Sequence, residues 1–154
     1  MEHNSYYSLL YYLNSKIPVI ITCPHHGDFY QQPSNHLDGK GCPICNQSKG
    51  EFSINNWLVN NNIEFDRQKK FIDCVNKFNL SFDFWIKDKN LLIEYDGMQH
   101  FKPLGFMGGD KKLEYTIKCD KIKNDYCFKN NIKLLRISYK EYKNIDKILF
   151  DYFN

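Results

Sequence analysis

The chain has 154 residues, of which 42% are hydrophobic and 16% aromatic, and its formal net charge is +3. This composition suffices for a packed core and excludes an intrinsically disordered chain, while so small a net charge indicates no particular partner. No stretch approaches the roughly 20 apolar residues that span a bilayer, and the early SYYSLLYYL run lacks the basic leader of a secretory signal. We therefore expect an intracellular protein that does not enter a membrane.

The composition of the chain changes at about residue 48. Before that point it is rich in Pro, Gly, Cys and His, with PVIITC and GDFYQQ predicted as strands and PSNHLDGKG as a turn-rich excursion. After it, long periodic segments follow one another. We therefore predict two domains, a small module over residues 1–48 and a larger domain over residues 49–154.

Paired cysteine knuckles predict a zinc site in the small module. CPHH has two residues between Cys23 and His26, and CPIC has two between Cys42 and Cys45. Fifteen residues separate the two pairs. Structural zinc takes four such ligands tetrahedrally, and an intracellular setting favours metal binding over disulfides. His25 and His36 are alternative ligands, but Gly27 after His26 would permit the tight turn of a knuckle. The prediction is a zinc-ribbon-like module in which zinc stabilises the fold.

Helical and extended segments alternate in the second domain. The predicted order is helix, three strands, helix, strand, helix, which is an α/β arrangement. A stripe of Tyr115, Cys119, Ile122 and Tyr126 marks one face of the long helix. The segments are EFSINNWLVNNN, EFDRQKKF, LSFDFWI, LLIEYD, KKLEYTIKCDKIKNDYCFKNN, IKLLRIS and EYKNIDKILFDYF.

Acidic residues at the end of two of these strands predict a cation site. If KDKN at 87–90 forms a hairpin turn, Ile86 pairs with Leu91, and Asp83 lies opposite Glu94 on one face. Asp96, two residues further along, joins that face. Opposed carboxylates repel unless a cation compensates, and Mg²⁺ prefers oxygen ligands. The alternative is an ordinary acidic edge of a solvated hairpin.

Polar residues next to the strand end extend this candidate site. Gly97 lets the chain turn after Asp96, which would bring Gln99 and His100 back over the strand end. The ordinary pKa of histidine lies near neutrality, so His100 could act as a general acid or base. Glu51 has two open interpretations: a capping box with Ser48, or a carboxylate that leans from its helix toward the cluster.

Lysines follow one another closely on the long helix. Lys118, Lys121 and Lys123 lie in KCDKIKND, where a solvated helix face is the plain interpretation. Beside a phosphate-binding metal site, the same lysines become candidate contacts to a nucleic-acid backbone.

GEFSINNWL, FDFWI, IEYDGMQHF and DKIKNDYCFKNNIKLLRISY, in that order, resemble the very-short-patch-repair-like endonucleases of the PD-(D/E)xK superfamily. The nearer relatives of this type include EDxHD-type homing endonucleases, and the resemblance covers roughly residues 49–140. The Cys- and His-rich segment from residue 23 to residue 45 also resembles the zinc-binding segment that often precedes such a nuclease domain.

This resemblance implies a metal-dependent endonuclease acting on DNA, with an αβββαβ core whose mixed central sheet is flanked by helices. Asp83 would ligate the metal, Glu94 and Asp96 would occupy the E-x-K positions, and His100 and Glu51 match the histidine and helix glutamate of the family. Asp96 stands where the wider superfamily has lysine, so the role of that lysine must move elsewhere, to His100 or Lys123.

We therefore expect a Mg²⁺- or Mn²⁺-dependent endonuclease with structural Zn²⁺ and DNA as its partner. Two alternatives stay open: a catalytically inactive zinc-dependent DNA-binding protein and a nuclease that acts on RNA. A monomer and a homodimer are equally open. The predicted catalytic residues are Glu51, Asp83, Glu94, Asp96, Gln99 and His100, with Asp83, Glu94 and Asp96 as the Mg²⁺ ligands.

Overall fold

The computed structural model describes residues 6–7, 14, 16–105 and 108–154 of the chain. The chain divides into two compact units, Met1–Ser48 and Lys49–Asn154. Most of the SYYSLLYYL run lies outside the described residues. Among the residues that are described, no helix has the length and apolar character needed to cross a bilayer.

The first unit contains a three-stranded antiparallel sheet in the order β1–β2–β3. Strand β1 is Tyr6–Tyr7, and the two predicted strands are confirmed as β2, Val19–Cys23, and β3, Gly27–Gln31. Gly27 opens β3 with a φ of 71°, a left-handed conformation that glycine adopts without steric cost. The turn-rich segment beyond β3 forms short helical turns over Pro33–Asn35 and His36–Lys40.

The second unit is a mixed α/β domain, as predicted. Its four-stranded sheet has the order β4–β5–β6–β7, with antiparallel pairs except for the parallel pair β6 and β7. The elements are α1 (Lys49–Asn60), β4 (Asp66–Val75), β5 (Asn79–Ile86), β6 (Leu91–Asp96), α2 (Gly109–Lys129), β7 (Lys133–Ser138) and α3 (Ile145–Phe153).

Helices cover both faces of this sheet. Helices α1 and α3 bury Ile54, Leu58 and Leu149 against residues of the first face that include Phe84 and Ile93. Helix α2 covers the second face, where Cys127 packs in a cluster with Cys74, Phe82 and Leu92. Leu91, Leu92 and Ile93 of β6 are fully buried, because helices cover both faces of the sheet at this strand.

The hairpin of β5 and β6 has the predicted register at its turn. Ile86 pairs with Leu91 and Phe84 with Ile93, and Asn90 closes the turn in a left-handed conformation with a φ of 48°. Further along β5 the alternation of faces breaks, because Phe82 packs on the same side as Trp85 while Phe84 packs on the other. Asp83 lies at this break.

Helix α2 turns a slightly different face to the sheet than the predicted stripe. Its buried residues are Thr116, Cys119, Lys123 and Cys127, while Tyr115 is 38% exposed. Cys119 and Cys127 pack as small apolar residues, as expected from their lack of metal spacing. The unexpected member of the buried face is a lysine.

Candidate metal centre and active site

Four side chains of the first unit converge as the knuckle spacing predicts. The Nδ1 atom of His26 lies 3.6 Å from the sulfur of Cys23, 3.7 Å from that of Cys42 and 3.3 Å from that of Cys45. The Cys23 and Cys45 sulfurs are 3.6 Å apart. All four donor atoms lie within 4.8 Å of one another, and His26 rather than His25 or His36 completes the group.

These spacings match a tetrahedral zinc site. Typical zinc–sulfur and zinc–nitrogen bonds place two sulfurs about 3.8 Å apart and a sulfur and a nitrogen about 3.5 Å apart. Burial and hydrogen bonding to Cys23 and Cys42, together with their charges, raise the pKa of the Cys45 thiol to about 12. The group can therefore hold a metal such as zinc, and four protein ligands would leave no open coordination position.

Asp83 lies across from Gln68 of β4, between the pairs Arg67–Phe84 and Lys69–Phe82. Its Oδ2 accepts a 2.8 Å hydrogen bond from the Tyr95 backbone N–H, and its Oδ1 is 3.4 Å from the Gln68 amide nitrogen. Gln68 has a φ of 52°, and Ser81 donates a 2.8 Å hydrogen bond to its amide oxygen. Burial raises the pKa of Asp83, the Tyr95 N–H lowers it, and the charge of Glu51 raises it further.

Glu51 reaches this region from the first turn of α1. Its Oε2 lies 3.5 Å from Arg67 Nη2, and the Arg67 guanidinium lies over the Phe84 ring. Gly50 makes this approach possible, since a Cβ at that position would overlap the Tyr95 ring. The electrostatic effect of Glu51 on Asp83 fits the interpretation in which the helix glutamate leans toward the carboxylates.

Glu94 forms a buried ion pair with Lys123 of α2. The lysine Nζ donates to both carboxylate oxygens, at 2.9 and 2.8 Å, and the two residues are 3% and 9% exposed. Burial and the charge of Asp83 raise the pKa of Glu94 to about 7, although Lys123 opposes this shift. The Lys123 ammonium also lies 5.1 Å from the centre of the Phe82 ring. Two acids and one lysine thus meet between β5, β6 and α2.

Asp96 belongs to a second, separate network. Arg136 of β7 donates to both of its carboxylate oxygens, at 2.8 and 2.6 Å, and also to Asp120 of α2 at 2.7 Å. The other oxygen of Asp120 lies 2.7 Å from His100 Nδ1. Burial disfavours the charged form of His100, but the hydrogen bond and charge of Asp120 raise its pKa above the ordinary value. Burial acts against ionised Asp120 too, yet the bonds from His100 and Arg136 lower its pKa.

The structure therefore divides the three predicted Mg²⁺ ligands between two networks. Within the described part of the chain, two groups bring three or more potential ligand atoms within 4.8 Å of one another: the zinc-type group above, and Asp96, His100 and Asp120. Asp83 and Glu94 belong to neither. Arg136 forms a bidentate salt bridge with Asp96 and neutralises its charge, so a metal is not required to offset that charge.

Gly97 and Gln99 have a different relation from the one expected. Gly97 has an ordinary φ of −65°, so the turn does not require the left-handed freedom of glycine. A Cβ at Gly97 would meet the Gln99 amide, which is the far end of a flexible side chain and can move aside. Gln99 and His100 both line a cleft of about 340 Å³ beside α2.

The predicted lysine contacts divide in the same way. Lys118 and Lys121 are exposed on α2 and remain available to a ligand. Lys123, by contrast, is buried and bound to Glu94, so it does not lie on the exposed face of the helix with the other two. The helical period of 3.6 residues places Lys123 on the face of Cys119 and Cys127, which packs against the sheet.

Sequence reasoning missed the partners that organise both networks: Gln68, Arg67, Asp120 and Arg136. One signal was present. Of the 21 lysine and arginine residues only two are arginines, Arg67 and Arg136, and both contact acidic residues of the candidate site. Arginine is suited to partly buried, bidentate pairs with carboxylates. The scarcity of arginine in the sequence therefore indicated Arg67 and Arg136 as partners of acidic residues.

Comparison with known proteins gives one match. Residues 1–46 match a family described as a protein of unknown function, DUF723. This match covers the module that contains the cysteine and histidine cluster and stops before α1. No curated protein and no solved structure matches the chain.

Proposed function

We propose that the chain is a metal-dependent endonuclease that hydrolyses phosphodiester bonds in DNA. One observation carries the proposal: Asp83 accepts a hydrogen bond from the backbone N–H of Tyr95, the residue next to Glu94, and Lys123 donates to both oxygens of Glu94. Two acids and a lysine are the functional groups of the nuclease superfamily that the sequence resembles. Here the lysine comes from α2, whereas the superfamily has it on the strand, where this chain has Asp96.

The donor chemistry of Asp83 and Glu94 fits a hard divalent cation. Both are carboxylates, and burial raises the pKa of each; the charge of Asp83 raises that of Glu94 further, and the charge of Glu51 raises that of Asp83. A cation between them would offset the repulsion of these charges with the oxygen ligands that Mg²⁺ and Mn²⁺ prefer. Such a cation would polarise the scissile phosphate and lower the pKa of the attacking water.

The chain's own residues supply the remaining functions. Lys123 holds a positive charge beside Glu94, where it would stabilise negative charge that develops on the phosphate. His100 has its Nδ1 engaged by Asp120, which orients the ring and leaves Nε2 to exchange a proton with the substrate or the leaving group. Arg136 and Asp96 fix Asp120 in turn, so Asp96 acts through its partners rather than as a ligand.

The surface of α2 supports a nucleic-acid substrate. Lys118 and Lys121 are exposed on the same helix that carries Lys123 and Asp120 into the site. The helical period places both on the side of α2 away from Lys123, where point charges would contact backbone phosphates outside the site itself.

Cleavage of supercoiled plasmid by the full chain tests the proposal. We expect nicking with Mg²⁺ or Mn²⁺ and none with a chelator. Asp83→Asn should reduce the rate by several orders of magnitude, because it removes a charge that the cation needs. Binding of DNA in chelator should persist or tighten, since a repulsive carboxylate is lost. Asp88→Asn is the matched control, because Asp88 is exposed in the turn of the same hairpin.

Each other outcome identifies a rival. DNA binding without metal-dependent cleavage by the unmodified chain would indicate a binding protein with a nuclease-like domain. Cleavage of RNA but not DNA would indicate the RNA-acting nuclease. Near-normal cleavage by Asp83→Asn would remove Asp83 from the site and with it the central argument for this function.

A further inference from the structure

A cleft beside the candidate site has the size and chemistry of a binding pocket for one small group. Its volume is about 340 Å³, near the lower end of the range for ligand pockets. The start of β5 forms one wall through Leu80 and Ser81, and α2 forms the other. Gln99 and His100 close one end, and Lys123 also lines the cleft.

The walls combine an aromatic surface with hydrogen-bonding groups. Tyr115 is partly exposed, and the Lys112 ammonium lies 5.5 Å from the centre of its ring. Ser81 donates its hydroxyl hydrogen to Gln68, and Thr116 donates its own to the Lys112 carbonyl, so both oxygens can accept from a ligand. The Gln99 amide can donate and accept. A flat polar ring matches this mixture, since it presents a face to stack and an edge to bond.

The position of the cleft limits what can enter it. His100 and Lys123 are the residues that we propose act at the scissile phosphate, and both also line the cleft. A group that enters is therefore adjacent to the phosphate and belongs to a flanking nucleotide. In a duplex both faces of a base are covered by its stacked neighbours, so a base must leave the helix before it can stack on Tyr115, as it does in enzymes that extrude a nucleotide.

We propose that this cleft receives the base of one unpaired nucleotide next to the scissile phosphate, stacked on Tyr115 and bonded at its edge by Ser81 and Gln99. The inference rests on the proposed function and specifies its substrate class: DNA with an unpaired nucleotide beside the cut bond. Lys112 would hold the phosphate on the far side of that nucleotide.

Binding to two bulged duplexes tests the inference without any cleavage. The duplexes are identical except that the single extra nucleotide is deoxyadenosine in one and abasic in the other. With the full chain in chelator, fluorescence anisotropy should show about tenfold tighter binding of the duplex that carries the base, as expected for one base stacked on an aromatic ring. Tyr115→Ala should make the two affinities equal.

Two further variants keep the test decisive. Tyr115→Leu retains apolar volume, so it guards against loss of folding, and it should also reduce the difference between the duplexes. Phe128→Ala should keep the tenfold difference, because Phe128 is on the same helix, is 91% exposed and does not line the cleft.

The outcomes separate this inference from the proposed function. Equal affinities for the two bulges, or a difference that survives both Tyr115 variants, would overturn the inference. Metal-dependent plasmid cleavage would then leave the proposed function standing. If the base increases affinity through Tyr115 but no DNA is cleaved under any metal condition, the result supports base binding in the cleft and contradicts the proposed nuclease activity. Failure to bind either duplex would overturn both.

Discussion

Lys123 donates two hydrogen bonds to Glu94, 29 residues earlier in the chain, and both side chains are buried. This pair decides how the carboxylates of the candidate site coexist without a cation. A lysine in this position carries its charge into a region where water cannot screen it, so the pair is maintained only while its geometry is good. It also connects α2 to the end of β6, where the proposed chemistry takes place.

The raised pKa of Glu94 predicts a pH-dependent stability. In the unfolded chain the pKa of Glu94 is near its ordinary value of 4.5, whereas in the folded chain it is about 7. Stability from this group is therefore full at low pH and is lost as the pH rises through that window, by up to about 3 kcal/mol. Urea unfolding at a series of pH values should show this loss, and Glu94→Gln should remove it.

Comparing the wild type with Glu94→Gln separates the effect of Glu94 on stability from the effects of other titratable groups. His100 also has a raised pKa and loses stabilising effect as the pH rises, but it is present in both proteins. Glu114→Gln is the control, since Glu114 is exposed on α2 and should leave the wild-type pH dependence unchanged. Identical pH profiles for the wild type and Glu94→Gln would show that Glu94 has no raised pKa. Saturating Mg²⁺ should flatten the wild-type profile, because a bound cation favours the ionised carboxylate.

The exposed lysines of α2 predict a change in salt dependence. Replacing Lys118 and Lys121 by Ala should weaken binding to all DNA sequences alike, and should flatten the log–log slope of affinity against salt by up to about 2. Lys143→Ala with Lys147→Ala removes the same charge from exposed positions elsewhere and should leave the slope nearly unchanged. If both double variants behave alike, Lys118 and Lys121 form an ordinary solvated helix face.

The left-handed backbone of Gln68 predicts a separation of stability from metal affinity. Gln68→Gly relieves the conformation with a φ of 52° but loses the hydrogen bonds to Ser81 and Asp83, so the free energy of unfolding should change by less than about 1 kcal/mol. It also removes the amide next to Asp83, so we expect weaker Mn²⁺ binding, measured by calorimetry. Asn62→Gly relieves a similar conformation, with a φ of 54°, in a loop after α1 and should leave Mn²⁺ affinity unchanged. Equal Mn²⁺ affinity in both variants would exclude a positioning role for Gln68.

The cysteine and histidine cluster predicts bound zinc. The purified chain should contain about one Zn²⁺, as four-ligand sites do, and Cys42→Ser should lose it and unfold the first unit. Elemental analysis and limited proteolysis measure these effects. Cys127→Ala should retain zinc, because Cys127 lies in the core of the second unit. A chain purified without chelator that contains no zinc would contradict the prediction.

Local patterns predicted the elements of the fold. The KDKN turn placed Ile86 opposite Leu91 because a hairpin turn sets the register of the residues next to it, and the knuckle spacing brought His26 to the three cysteines. The broken alternation at Asp83 could not be anticipated, because it lies opposite a left-handed residue, Gln68, of the neighbouring strand, and the local sequence of β5 gives no sign of it.

Partners that come from distant segments were the harder part of the site. Asp96 was expected to ligate a metal, because it follows Glu94 by two residues on the same strand face and stands at a site position of the family that the sequence resembles. Its counter-charge is Arg136, which reaches it only because β7 pairs in parallel with β6. Lys123 was expected at the surface because its neighbours are polar, although the helical period already placed it on the face with Cys119 and Cys127.

Arg136 reaches Asp96 and Asp120 from a strand that follows them by 40 and 16 residues. On the ribosome, both carboxylates therefore emerge before the cation that neutralises them. A nascent chain that ends within α2 has Asp83, Glu94 and Asp96 but lacks the strand that fixes Asp120 and, through it, His100. The proposed catalytic arrangement is thus complete only after β7 has been synthesised and has paired with β6.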